Sequence, residues 1–144
     1  MNKKKKSYLT IALVISLLPM FLSWFGSARG VQEIKGTIVL FNPITILCIV
    51  VFLIGVWYRF KKKQVNTMIP LIALSGIILI EVYEFLTWHY MTITGRISLE
   101  ISFAMTYPEF YFGLFSSILM LILYLYLTKI TDSKNKNKYK HYLL

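Results

Sequence analysis

A chain of 144 residues, 57% of them apolar, exceeds the roughly 45–50% apolar content of ordinary soluble domains. Its formal charge of +10 would suit a nucleic-acid binder, but the basic residues stand in blocks between long apolar runs, and no folded nucleic-acid reader accompanies them. Cys48 is the sole cysteine, which excludes an intrachain disulfide.

Four apolar runs long enough for membrane helices follow one another, at about 8–25, 43–60, 68–90 and 108–128. The first, "YLTIALVISLLPMFLSWF", follows the basic block Lys3 to Lys6, and Trp24 and Phe25 at its end read as an interfacial anchor. A cleaved signal peptide is the competing reading, with "GSA" at Gly26 to Ala28 as the cleavage site. The run is longer than the usual apolar core of such a peptide, and that favours a retained span. Pro19 and Pro70 read as kinks or helix ends.

The first outer loop, 26–42, contains "GTIVLF" from Gly36 to Phe41, a strand candidate. The second span carries Cys48, a small hydrophobe there, and ends at Arg59 and Lys61 to Lys63. The third span, Met68 to Tyr90, includes Glu81 and Glu84. In the second outer loop, 91–107, Ile97, Leu99, Ile101 and Phe103 alternate with Arg96, Ser98, Glu100 and Ser102, the pattern of a half-buried strand after a Thr94-Gly95 turn. The two loops are therefore expected to pair as a small antiparallel sheet capping the outer face. Pro108 and Glu109 mark the start of the fourth span. The tail from 131 to 144 is lysine-rich and reads as disordered or lying on the anionic inner leaflet.

Lys3 to Lys6, Arg59, Lys61 to Lys63, Lys129, Lys134, Lys136, Lys138 and Lys140 fall on one side of a four-span arrangement, leaving Arg29, Lys35 and Arg96 on the other. The positive-inside rule then puts both termini in the cytoplasm. The expected fold is an all-α four-transmembrane-helix bundle over 1–130 with an external β cap. In topology alone this resembles the claudin-like architecture. The paired cysteines and tryptophan motif of the claudin first loop are absent, and the resemblance carries no function or residues. Thirteen lysines against three arginines suggest an AT-rich genome and a bacterial plasma membrane.

In "GIILIEVYEFLTWHY" (Gly76 to Tyr90), Glu81 falls inside the hydrocarbon and Glu84 near its edge, both on a broad face with Phe85 and Trp88, and with His89 at its margin. An ionisable group at such depth is neutral or partnered and turned inward. Three roles compete. The glutamates fix the cap by bonding to tyrosines, serines or the bases Arg29, Lys35 and Arg96. Alternatively, they line an outward pocket walled by Trp24, Phe25, Trp88, Tyr107, Phe110 and Tyr111. In the third role Glu81 carries a proton in a transporter acting as an oligomer.

Candidate binding residues are Glu81, Glu84, Trp88, His89, Arg96 and Glu100. Candidate helix-packing residues are Gly113, Ser117, Ala73 and Gly76, with bundle packing or a homo-oligomer face as their role. No metal-ligand spacing, cofactor motif or catalytic set is present, so enzymatic activity is disfavoured. The expected function is recognition of a membrane-protein partner, lipid or peptide through the outer face, of an accessory or immunity type. The lipid bilayer is the constant partner and nucleic acid is excluded.

Overall fold

The computed structural model describes residues 3–26, 32–59, 68–90 and 94–140. Arg29, Lys61 to Lys63 and His141 lie outside them. The chain is mostly helical with one small sheet: α1 (Lys3–Leu17), a 3-10 turn (Leu18–Phe21), β1 (Ser23–Phe25), β2 (Ile34–Lys35), α2 (Thr37–Leu40), α3 (Pro43–Arg59), α4 (Met68–His89), α5 (Leu99–Ala104) and α6 (Pro108–Lys140). Two helical stretches, Met68–His89 and Pro108–Lys129, are long and apolar enough to cross a membrane. Pro43–Trp57 is apolar but shorter.

The first apolar run is not one helix. Pro19 lacks an N–H and crowds the carbonyl one turn back, so α1 stops at Leu17 and the chain tightens into the 3-10 turn. It then becomes extended, and Trp24 and Phe25 are fully buried in β1. Their expected role as an exposed anchor is thereby overturned.

The strand expected at 36–41 is instead α2, because Gly36 and Thr37 carbonyls accept from Leu40 and Phe41. The sheet partner of β1 is β2, pairing Ser23 with Lys35 and Phe25 with Ile34. The alternating segment 96–103 is also helical: Ser98, itself extended, caps α5 by accepting from the Ile101 amide, and its carbonyl accepts from the Ser102 amide at 3.0 Å. A side-chain cap and a local carbonyl outweigh the alternation when no neighbouring strand is offered.

The two outer segments meet by a single bridge, Phe25 with Thr106. It is flanked by Gly26 N–H to Met105 O (3.0 Å) and Tyr107 N–H to Trp24 O (2.8 Å). Beyond residue 128, α6 continues to Lys140, with no proline or glycine to stop it. The expected unstructured tail is helical that far.

In the pairs α3–α4, α1–α6 and α4–α6 the helices run antiparallel, so α3 and α6 are parallel. In the α3–α4 pair, Gly55 lies against Pro70 and Gly76 against Cys48. In the α1–α6 pair, the Ser116 hydroxyl donates to Ser16 O at 3.0 Å. Phe52 of α3 meets Tyr124 of α6 edge-on at 5.8 Å, and both are buried. Lys6 Nζ sits 5.6 Å from the Trp57 ring centre, bringing the start of α1 to the end of α3.

A Cβ on Gly76 would stand 2.7 Å from Cys48 Sγ. Gly76→Ala is expected to cost about 1 kcal/mol through overpacking, with most of it recovered in a Cys48→Ala background. Denaturant titration in detergent of the two single variants and the double variant measures this.

Candidate functional site

Trp24 organises the outer end. Its indole N–H donates to Pro19 O at 2.8 Å, and Gly36 and Gly113 press on its ring so closely that neither has room for a Cβ. Gly113, expected at a helix–helix contact, thus serves as the seat of an indole. Phe110 meets Trp24 edge-on at 5.3 Å, Phe25 stacks on Trp88 at 5.2 Å, and Phe85 stacks on Phe110 at 5.1 Å. Trp24, Phe25, Trp88 and Phe110 are all buried. These aromatics fill the space between the helices, so they form a core where an aromatic-walled pocket was one expectation.

The carboxylate of Glu33 fastens this core to its cover. It accepts from Ser23 Oγ at 2.9 Å and from the Tyr107 hydroxyl at 3.3 Å. Desolvation first, and the Glu33 and Glu109 carboxylates next, push the Tyr107 phenol above its ordinary range, which keeps it a donor at neutral pH.

The two intramembrane glutamates part company. Glu81 is fully buried and its Oε1 accepts from Ser117 Oγ of α6 at 2.6 Å, the length of a bond to a charged acceptor. Among the described residues, then, a serine holds it and neither Lys35 nor Arg96 does. Lys35 and Arg96 are exposed. Glu84, half-buried, turns instead toward the start of α3, where the Asn42 amide donates to it. Asn42 Oδ1 meanwhile accepts from the Ile44 amide at 3.0 Å. One asparagine therefore caps α3 and positions a carboxylate on α4.

His89 is buried at the end of α4. Its Nδ1 lies 3.1 Å from Thr94 Oγ1 and its Nε2 2.9 Å from Ser102 Oγ. Each hydroxyl also has a carbonyl acceptor, Arg96 O at 2.7 Å and Ser98 O at 3.0 Å, so the ring N–H can donate to either. The ring thus pins α5 by its polar side, leaving Leu99 and Phe103 exposed. Glu100 is exposed as well. Ala73 is buried in α4.

A groove of about 480 Å³ opens beside Glu84, lined by Ile34, Ile38, Tyr83, Thr87, Trp88, Tyr90 and Ile97. The Thr87 hydroxyl is turned back to Tyr83 O at 2.7 Å. Among the described residues, Glu84 is the one charged side chain of the groove. Of the sequence candidates, the structure brings Glu84 and Trp88 together here, while Glu81, His89, Arg96 and Glu100 stand apart from it. Asn42, Ile34 and Ile38 were missed; the Asn-Pro pair at 42–43, a helix-start signal, was the legible hint for the first.

Among the described residues no three His, Cys, Asp or Glu side chains gather as a metal site would need. No family model, curated protein or solved structure matches this chain.

Proposed function

We propose that this chain is a four-span protein of a bacterial plasma membrane, both termini cytoplasmic, that recognises a cationic amphipathic peptide at its outer end without catalysing a reaction. The observation that carries this reading is the groove at Glu84: apolar and aromatic walls around one carboxylate that an amide holds in place. Such a site matches a lysine or arginine flanked by apolar side chains.

The membrane part of the reading is supported by the two membrane-capable helices and by the apolar side chains the helices present outward. Ile72, Leu79, Phe112 and Phe115 are 59–68% exposed, as lipid-facing residues would be. The Lys6–Trp57 contact supports a common basic end. Three of the six acidic residues, Glu33, Glu100 and Glu109, flank the spans on the opposite half, and Glu84 stands near that end of its span, which favours a cationic visitor there. Glu81 has no exposed surface, and this favours recognition over proton carriage.

The test uses the protein reconstituted in neutral vesicles and a short fluorescent Leu/Lys peptide added from outside. Glu84→Gln is expected to weaken binding about tenfold, the worth of one half-buried charge pair, and acetylating the peptide lysines should do the same. Equal binding by wild type and Glu84→Gln would remove the reading.

A further inference from the structure

The hydroxyls on the helices of this protein have a habit. Thr10 donates to Lys6 O, Ser16 to Leu13 O, Thr87 to Tyr83 O, Ser116 to Gly113 O and Thr128 to Leu125 O. Each proton goes back to the preceding turn, the inexpensive solution for a hydroxyl in an apolar setting, and Ser116 shares its proton between that turn and Ser16 O of α1. Two hydroxyls make no such bond. Ser117 donates across to Glu81, and Thr45, fully buried in the first turn of α3, has no protein partner for its Oγ1. The second carboxyl oxygen of Glu81 is also buried and without a protein partner among the described residues.

Helix register sets these atoms at one level of the bundle. Across α3 and α4 the contacts Gly55–Pro70, Cys48–Gly76 and Asn42–Glu84 set Thr45 opposite the turn that carries Glu81. Across α3 and α6 the pair Phe52–Tyr124 fixes a second register. Thr45 lies seven residues from Phe52 and Ser117 seven from Tyr124, both toward the outer end, which is two turns along the same face of each helix. Register thus sets Thr45 at the level of the Glu81–Ser117 bond, while Thr45 Oγ1 and Glu81 Oε2 make no direct hydrogen bond to each other.

We propose that Thr45, Glu81 and Ser117 hold one buried water molecule at the junction of α3, α4 and α6. The donor–acceptor balance selects water. Thr45 gives its proton to the water oxygen, and the water gives one proton to Glu81 Oε2 and the other to a lone pair of Ser117 Oγ. That is three bonds, the usual number for an internal water. A metal cation would take the oxygen lone pairs but leave the Thr45 proton without an acceptor. Direct proton donation from Glu81 to Thr45 would need an approach that the two atoms do not make. The junction is thereby a polar node joining three helices through a molecule that the sequence does not encode.

Two measurements test it on the full chain in detergent. In the cycle of Thr45→Val, which keeps the shape and removes the hydroxyl, with Glu81→Gln, the unfolding constants should couple by at least about threefold although the side chains do not touch. Infrared difference spectra of the wild type in ordinary and 18O-labelled water should show an isotope-sensitive band of a strongly bonded internal water, absent from Thr45→Val. Additive variants with no isotope-sensitive band in the wild type would overturn the proposal. So would a melting temperature that rises with sodium chloride over choline chloride and loses that rise in Thr45→Val, since the guest would then be a cation. The infrared arm uses the wild type, so it decides the matter even where a variant fails to fold.

Discussion

Trp24→Ala is expected to lower the unfolding free energy by about 3–5 kcal/mol, the range for truncating a large buried aromatic, as read from denaturant titration in mild detergent. Several losses coincide there. The indole fills the space between Gly36 and Gly113, and two residues without side chains cannot collapse into the cavity that alanine would leave. The Pro19 carbonyl loses one of its two donors and keeps the Leu22 amide, and Phe110 loses its edge-on neighbour. Trp24→Phe should lose clearly less, because most of the ring volume remains. A loss below about 1 kcal/mol for the alanine variant would mean that the outer end does not depend on the indole.

Ser117→Ala should cost about 1–3 kcal/mol, the cost of stranding a buried acceptor. Interhelical hydrogen bonds in membranes commonly contribute less, about 0.6 kcal/mol on average. Glu81, however, is a carboxyl sealed from bulk solvent whose only direct protein partner among the described residues is Ser117, so the upper part of the range applies. Ser117→Thr retains a hydroxyl at the same Cβ and should preserve most of the stability. If Ser117→Ala and Ser117→Thr unfold at the same denaturant concentration, the bond is not what holds α4 to α6.

Composition and period made the long helices legible. Both α3 and α6 begin at the proline expected, because a helix start is a local event. Pro108 at the first position and Glu109 in the first turn need no tertiary information. The outer segments were misread for the opposite reason. Their alternating apolar residues Ile97, Leu99, Ile101 and Phe103 fit a strand only if a second strand lies alongside, whereas the Ser98 cap is satisfied within four residues. Pro19 was visible as a possible stop, yet the apolar run continued past it, and the run length concealed the turn.

At the site, the depth of Glu81 was readable but its partner was not. Ser117 lies 36 residues away, and its spacing from Gly113 suggested backbone contact in place of a hydroxyl donor. The separation of Glu81 from Glu84 followed from which helix each one faces, and one helix's sequence does not contain that. The filling of the aromatic wall was likewise tertiary: Trp24 arrives at Phe110 only because the chain bends at Pro19.

The Ser116–Ser16 bond joins positions 100 residues apart, and this imposes an order on biosynthesis. At the usual 5–20 residues per second, about 5–20 s separate the emergence of its two ends. During that interval α1 has been made and its eventual neighbour has not. The face around Ser16 must wait in lipid or against the insertion machinery, with its hydroxyl already turned inward to Leu13 O. A side chain that satisfies itself in this way is suited to waiting, and the last helix can then close on α1 without first displacing a bond made to a temporary companion.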